Sequence, residues 1–321
     1  MTRRAAALAV AAAAAALPAA ELLLAAAGDK PQWRLQSPGS WAVDDLDCRY
    51  RMRPGVYPSL FATAVRVNSY GVRGPEPRRP VVLAAGDSCT FGVGVPLAQT
   101  YPGLLTRDGW ESVDAGVPGY NSATGACALR KSGLLDLHPK VVTLYFGWND
   151  HERAVADEAV FACLRHWARH SRLASRLLRL QRSYWGDGWR RERWFRQVPP
   201  GQFESNLREM AEAARAAGAR PWIVIPPSEP RLLAQGGRFL SQHTRAEFDD
   251  RVLYADLARR AAARSGAAVI DLDRELRARA MSNPRKYFID PIHLNHRGHR
   301  VLAEMLEARL KAEAIAPDAG R

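Results

Sequence analysis

The chain has 321 residues with 47% hydrophobic and 8% aromatic content, an ordinary globular composition that favours one main domain with additions over two equal domains. Its formal net charge of +13 would suit a polyanion such as nucleic acid or an anionic membrane. The excess arginines are scattered through helical stretches and accompany no nucleic-acid-binding motif, so we expect no nucleic-acid partner.

Residues 1–28 have the features of an export signal or a membrane anchor. Arg3 and Arg4 precede an uncharged apolar run that is interrupted at Glu21, and small residues before Gly28 fit a signal-peptide cleavage site. An anchor needs about 20 apolar residues, which this segment reaches only if Glu21 lies toward the outer end of the span. Both interpretations place the bulk of the chain outside the cytoplasm, as a periplasmic, secreted or inner-membrane-anchored protein. A third interpretation is a buried alanine-rich helix.

Residues 29–79 are rich in proline, glycine and tryptophan, and we predict an irregular N-terminal extension with short strands. The chain has four cysteines, Cys48, Cys89, Cys127 and Cys163, without a Cys-x-x-Cys pair. An exported location permits a disulfide, but the spacing does not indicate which cysteines pair. Cys89 is interpreted as a small core residue rather than as a nucleophile.

From residue 80 onward, apolar β-branched runs alternate with helix-like segments. They predict strands at residues 81–85, 113–117, 141–146, 222–225 and 268–272, and helices at residues 121–132, 203–217, 245–265 and 296–312. Continuous apolar strands separated by helices indicate a parallel sheet covered on both faces. We therefore predict an α/β fold, a three-layer α/β/α sandwich at residues 80–313 with a tail at 314–321, and expect ligands at the carboxyl ends of the strands.

A long basic insertion at residues 151–200 interrupts this alternation. It carries Leu173, Leu177 and Leu180 at helical spacing among arginines and tryptophans. A basic amphipathic helix of this kind can lie on a membrane surface or cover an active site. The alternative is an ordinary packed helix whose arginine side chains extend past the core to solvent. The leader and the insertion are therefore the candidates for contact with a membrane surface.

Polar groups follow three of the predicted strands and recur in a loop near the end of the chain. The first strand leads to Ser88, the second to Gly119 and the third to Asn149, and the loop contains Asp290 and His293. We expect all of them at one edge of the sheet. A serine hydroxyl becomes a good nucleophile when an imidazole removes its proton and a carboxylate orients that imidazole. Ser88, His293 and Asp290 can fill these three roles.

An ester carbonyl under attack also needs donors for its developing negative charge. The side-chain amide of Asn149 and the backbone N–H groups of Gly119 and Ser88 are the candidates for this oxyanion hole, and each such donor is worth about 10²–10³-fold in rate. Glycine at position 119 leaves no Cβ between the backbone and a substrate.

The stretches "GDSCTFG", "GVPGYNS", "GWND" and "DPIH" resemble the four sequence blocks of the SGNH hydrolases, also called GDSL-type esterases and lipases. The resemblance covers residues 81–302 and implies a flavodoxin-like fold with five parallel strands. It also implies that Ser88 is the nucleophile, that Gly119 and Asn149 are oxyanion-hole residues, and that Asp290 and His293 complete the triad. Two further stretches, "VNSYGVRGPE" and "RQVPPGQFESNL", resemble a bacterial branch whose members commonly carry an N-terminal membrane segment.

Other interpretations of individual motifs are weaker. The histidines at 293, 296 and 299 are three residues apart, which does not stack two metal ligands on one helix face; we expect no metal and a structural His299. Gly92 and Gly94 lack the third glycine of a dinucleotide loop. A flavin mononucleotide carrier would leave Asn149 and the Asp290/His293 pair without a role, so no cofactor is expected.

The sequence therefore predicts an extracytoplasmic serine ester hydrolase that acts through an acyl-enzyme on Ser88, with small-molecule, lipid or carbohydrate esters as substrates. Two alternatives stay open. One is an O-acyltransferase acting on cell-envelope carbohydrate, and the other is a non-catalytic member that binds a glycan or a partner protein.

Overall fold

The computed structural model describes residues 16–36, 39–154, 156–183, 195–227, 245–279 and 283–317. Most of the predicted leader, including Arg3 and Arg4, lies outside the described residues, as do residues 184–194 of the insertion and the end of the predicted tail. The first described residues form a helix, α1, over residues 16–26. No helix within the described ranges is both long and apolar enough to cross a membrane.

Five strands form the central sheet, and six more form three antiparallel pairs within the described ranges. The strands are β1 (Ala42–Asp45), β2 (Arg49–Met52), β3 (Gly55–Leu60), β4 (Thr63–Val67), β5 (Val82–Gly86), β6 (Ser112–Gly116), β7 (Val141–Tyr145), β8 (Arg153–Ala154), β9 (Phe195–Arg196), β10 (Arg220–Val224) and β11 (Ala268–Ile270). The central sheet has the order β6-β5-β7-β10-β11, and all of its pairings are parallel. The predicted five-stranded parallel sheet is therefore confirmed.

Helices cover both faces of this sheet. They are α2 (Ser88–Phe91), α3 (Tyr101–Arg107), α4 (Ser122–Lys131), α5 (Glu158–Trp167), α6 (Arg172–Ser183), α7 (Pro200–Ala216), α8 (Arg245–Ser265), α9 (Leu272–Arg279) and α10 (His296–Ala312). The four predicted helices correspond to α4, α7, α8 and α10. The prediction that the last strand continues to residue 272 is wrong, because α9 begins there and the Asp271 carboxylate accepts a hydrogen bond from the N–H of Arg274 (2.9 Å).

The core consists of two apolar layers, one on each face of the sheet. In β5, Leu83 and Ala85 pack with α4, α7 and α8, whereas Val82 and Ala84 pack with α3, α9 and α10. Every residue of β5 and of β7 is buried, as expected for parallel strands covered on both sides. This packing fixes the positions of the strand ends at which the polar groups lie.

The N-terminal hairpins β1–β2 and β3–β4 pack at the β6 edge of the sheet. A disulfide joins Cys48, in the turn between β1 and β2, to Cys127 of α4, which settles the pairing that the sequence left open. The hydroxyl of Tyr50 donates a hydrogen bond to the carbonyl of Pro118 (2.6 Å). The hairpins therefore support the loop between β6 and α4.

The insertion leaves the main domain and returns to it through the antiparallel pair β8–β9. Beside this pair, the N–H of Val198 donates to the carbonyl of Asp150 (3.0 Å). We call α5, α6 and the residues between them the arm. A buried ion pair between Arg165 and Glu158 (2.9 Å) places the Arg165 guanidinium where it also donates to the carbonyl of Leu46 (3.3 Å). The arm is thus docked on the N-terminal hairpins.

Loss of the disulfide is expected to destabilise the protein. Because the bridge closes a sequence separation of 79 residues, the double variant Cys48→Ala/Cys127→Ala should lower the free energy of unfolding by about 2–5 kcal/mol. Urea denaturation of the variant and the wild type measures this difference. Cys163→Ala, which removes an exposed free cysteine, serves as the control. A double variant with the same midpoint as this control would contradict the expectation.

Candidate active site

The Ser88 hydroxyl lies at the carboxyl edge of the sheet because a helix begins directly after β5. The last residue of β5, Gly86, is in register with Gly116 at the end of β6. The carboxylate of Asp87 then accepts a hydrogen bond from the N–H of Cys89 (2.8 Å) and caps α2. Ser88 is therefore the first residue of a short helix that starts at this edge.

The structure brings Ser88, His293 and Asp290 into one line of hydrogen bonds. The Nε2 atom of His293 lies 2.9 Å from Oγ of Ser88, and Nδ1 of the same ring lies 2.7 Å from Oδ2 of Asp290. The other carboxylate oxygen, Oδ1, accepts hydrogen bonds from the backbone N–H groups of Ile292 (2.9 Å) and His293 (2.7 Å). One aspartate therefore shapes the loop and orients the ring.

The hydrogen-bond partners determine where the ring proton lies. Burial alone would raise the pKa of Asp290, but the hydrogen bonds from His293 and Ile292 outweigh it and hold the pKa below its ordinary value. An ionised carboxylate only accepts hydrogen bonds, so Nδ1 of the neutral ring must donate to it. Nε2 is then left to accept the proton of the Ser88 hydroxyl.

Gly119 lies in the loop between β6 and α4 with a φ of +84°, a backbone conformation that favours glycine. A Cβ at this position would lie 2.6 Å from the Tyr50 hydroxyl, so contact with the N-terminal hairpin is a second reason for glycine here. Within the described chain, the N–H groups of Gly119 and Ser88 donate to no backbone carbonyl. Both remain available as donors.

Asn149 connects the loop after β7 to the other two strand ends. Its Nδ2 group donates to the carbonyl of Tyr120 (2.8 Å) and lies 3.4 Å from Oδ2 of Asp87. The next residue, Asp150, accepts a hydrogen bond from the N–H of Ser122 at the start of α4 (2.8 Å). An oxyanion could replace the longer contact of the Asn149 amide while the Tyr120 contact keeps the side chain in place.

No sequence pattern gave a role to Asp87 or Asp150, although Asp87 lies in "GDSCTFG" and Asp150 in "GWND". Burial raises the pKa of Asp87 to about 6, against the opposing effects of the Cys89 hydrogen bond and of His293. Burial likewise raises the pKa of Asp150 to about 7. Their position next to Ser88 and Asn149 in the sequence was the only available signal.

A third buried carboxyl group, that of Asp114, lies near an arginine that supports the carboxyl end of α2. The guanidinium of Arg73 donates to the carbonyls of Phe91, Gly92 (3.3 Å) and Val95 (2.8 Å), at the carboxyl end of the helix that starts with Ser88. Burial raises the pKa of the nearby Asp114 to about 7, and the positive charge of Arg73 opposes this rise. Arg73 lies in "VNSYGVRGPE", where no sequence pattern indicates this role for the arginine.

The surroundings of Cys89 and His299 fit a structural role for both residues. The Cys89 thiol is buried, donates to the carbonyl of Ile292 (3.5 Å), and has a pKa that burial raises well above its ordinary value, so it stays protonated and is a poor nucleophile. Burial lowers the pKa of His299 to about 3, and its Nδ1 atom accepts a hydrogen bond from the N–H of Tyr101 (3.3 Å). His299 therefore packs α10 against α3 as a neutral ring.

Comparison with known proteins identifies the family. The model of the GDSL-like lipase/acylhydrolase family matches residues 84–301, more than half of the chain, so the chain belongs to this family of ester-acting hydrolases. No curated protein matches the chain.

Solved structures with a similar fold include three hydrolases. A lipase/acylhydrolase from Enterococcus faecalis is 17% identical, with 74% of this chain and 98% of that chain covered and a TM-score of 0.49. The α/β hydrolase LAE5 from the metagenome of Lake Arreo, Spain, is 21% identical, with coverage of 73% and 95% and a TM-score of 0.47. The acetyl xylan esterase AlAXEase is 18% identical, with coverage of 71% and 98% and a TM-score of 0.46.

The buried carboxyl group of Asp87 should make stability depend on pH. Its pKa is about 6 in the folded protein against 3.8 for an unperturbed carboxyl group, so the folded state binds more protons between these values. Stability relative to Asp87→Asn should therefore fall by up to about 3 kcal/mol as the pH rises from about 4 to 7. Urea denaturation of both proteins across this range measures the difference, and curves that stay parallel would contradict it.

Proposed function

We propose that the chain is a serine ester hydrolase that forms an acyl-enzyme on Ser88, with small-molecule, lipid or carbohydrate esters as substrates. The observation that carries the proposal is the line of hydrogen bonds from Oγ of Ser88 to Nε2 of His293 (2.9 Å) and from Nδ1 to Asp290 (2.7 Å). This arrangement activates a serine hydroxyl. Membership of an ester-acting family supports the same conclusion.

Acylation begins when Oγ of Ser88 attacks the ester carbonyl carbon and Nε2 of His293 takes the hydroxyl proton. The imidazolium that forms is stabilised by the Asp290 carboxylate, which stays ionised because its pKa is low. When the tetrahedral intermediate collapses, the bond to the alcohol breaks and His293 gives its proton to the leaving oxygen. The acyl group is then esterified to Ser88.

Deacylation repeats these steps with a second nucleophile. His293 removes a proton from a water molecule, the resulting hydroxyl attacks the acyl carbon, and the proton returns to Oγ of Ser88 as the carboxylic acid leaves. A carbohydrate hydroxyl in place of water would give an acylated sugar. Hydrolysis and acyl transfer therefore differ only in the acceptor.

Three donors are proposed to stabilise the tetrahedral intermediate: the N–H groups of Ser88 and Gly119 and the amide of Asn149. Two features support this assignment. The N–H groups lack backbone acceptors in the described chain, and the contact of Asn149 with Tyr120 ties its amide to the loop that contains Gly119. Donors held in advance of the reaction need no reorganisation when charge develops.

An extracytoplasmic location is also proposed. The apolar segment that follows Arg3 and Arg4 has the composition of a leader. The disulfide between Cys48 and Cys127 supports an oxidising compartment, since structural disulfides persist mainly outside the cytosol.

The nucleophile assignment is tested with a fluorophosphonate probe, which reacts with activated serines. The wild type should be labelled, and Ser88→Ala should lose labelling and up to about 10⁶-fold in kcat for p-nitrophenyl acetate. Cys89→Ser is the matched control, because it changes the neighbouring side chain and should keep labelling. Labelling that persists in Ser88→Ala would reject the proposal.

Product analysis with and without added carbohydrate distinguishes hydrolysis from acyl transfer.

The role of Asp290 is tested by Asp290→Asn. The side-chain oxygen of asparagine can still accept hydrogen bonds from the backbone N–H groups of Ile292 and His293. The side-chain NH₂ group, however, would donate to Nδ1 of His293 and leave the ring proton on Nε2. A protonated Nε2 cannot accept the proton of the Ser88 hydroxyl. We expect kcat to fall about 10³–10⁴-fold with little change in KM. Steady-state kinetics with p-nitrophenyl acetate measure both constants, and an unchanged kcat would show that the carboxylate does not act on the ring.

A further inference from the structure

Glu21, the one charged residue between residues 5 and 28, has a structural partner in the arm. The carboxylate of Glu21 accepts hydrogen bonds from the backbone N–H groups of Arg172 (3.0 Å) and Leu173 (3.0 Å) and from the Ser171 hydroxyl. The first turn of a helix leaves such N–H groups without partners, and a carboxylate there is favoured by the helix dipole. Glu21 of α1 therefore caps α6.

A second set of contacts extends this connection along α6. The Asp29 carboxylate accepts two hydrogen bonds from the guanidinium of Arg176 (2.5 and 3.0 Å), and its carbonyl accepts one from Arg172 (2.9 Å). The N–H of Gln32 donates to the Ser175 hydroxyl (2.7 Å). Residues 21–32 are thus joined to the beginning of α6 through its residues 172–176.

The outer sides of the joined helices carry exposed apolar side chains. On α6, Ala174 and Leu178 pack inward, whereas Leu177 is 43% exposed. Of the predicted leucine stripe, Leu173 is half-buried and Leu177 is exposed, and the side chain of Leu180 lies outside the described residues. The exposure of Leu177 favours the surface-contact interpretation of the insertion. Trp167, one turn before the residues that bind Glu21, is 64% exposed, and Leu22 and Leu23 are 71% and 72% exposed.

The charge around these side chains is positive. In residues 16–36 and 167–179 the acidic residues are Glu21 and Asp29, and both are paired with arginines of α6. Lys30, Arg34 and Arg169 are exposed in the same segments. Residues 5–15, which directly precede α1, contain no charged residue. Apolar side chains beside exposed cations fit the headgroup boundary of an anionic bilayer.

We propose that α1 and α6, with Trp167, form one surface that docks on an anionic lipid bilayer, and that Glu21 holds the two helices together. α1 is then a permanent part of the mature chain, because cleavage before Gly28 would remove the cap of α6.

Fluorescence from single labelled positions tests this surface in the full chain. In a Cys163→Ser background, Leu177→Cys is labelled with nitrobenzoxadiazole and mixed with vesicles of phosphatidylglycerol and phosphatidylcholine. We expect a several-fold rise in emission with a blue shift, and a smaller rise with phosphatidylcholine alone. Val269→Cys on the edge strand β11 is the matched control, because Val269 is 39% exposed, and its label should not respond. No response at residue 177, or an equal response at residue 269, would overturn the proposal.

Two further measurements test the part played by Glu21. Glu21→Ala should reduce the response at residue 177, whereas Glu212→Ala, which changes an exposed glutamate of α7, should leave it unchanged. The intact mass of the chain isolated from host membranes should include residue 21, and a chain that begins at Gly28 would overturn the proposal. All these variants lie away from Ser88 and should leave hydrolysis of soluble p-nitrophenyl acetate unchanged, so docking is measured apart from hydrolysis.

Discussion

The hydrogen bond between the Ser88 hydroxyl and the His293 ring joins residues 205 positions apart in the chain, and the rest of the site depends on it. Ser88 is positioned by the buried strand β5 and the start of α2. The His293 loop is positioned by Asp290 and by α10, whose first turn is capped by Asn295. The contact of Cys89 with the carbonyl of Ile292 joins these two units directly beside the reacting groups.

Three buried carboxyl groups have raised pKa values: those of Asp87 and Asp150 at the same edge of the sheet, and that of Asp114 in the middle of β6. Burying such groups costs stability, which the hydrogen bonds that they accept offset only in part. Through their hydrogen bonds, Asp87 and Asp150 hold the ends of β5 and β7 and the start of α4 in fixed relative positions. Groups that are held before the substrate arrives need little rearrangement during the reaction.

The sequence was sufficient to predict the central sheet and the helices that cover it, because continuous apolar runs and helical periodicity are local signals. It also indicated which groups would meet, since the carboxyl ends of parallel strands share one edge. It could not show α2, which has only four residues, or the pairing of Cys48 with Cys127, which depends on distances in the folded chain. The contacts of Tyr50, Arg73 and Glu21 could likewise not be predicted, because each contact joins segments that are distant in sequence.

We propose that Ser88 attacks an ester carbonyl whose oxygen is held by three preorganised donors. A crystal structure of the enzyme phosphonylated by the fluorophosphonate probe would show these contacts, since the phosphonyl group stands in for the tetrahedral intermediate. We expect a covalent bond from phosphorus to Oγ of Ser88, with one phosphonyl oxygen about 2.7–3.1 Å from the N–H groups of Ser88 and Gly119 and from the Asn149 amide. Phosphorus bonded to another side chain, or a phosphonyl oxygen that faces solvent, would contradict it.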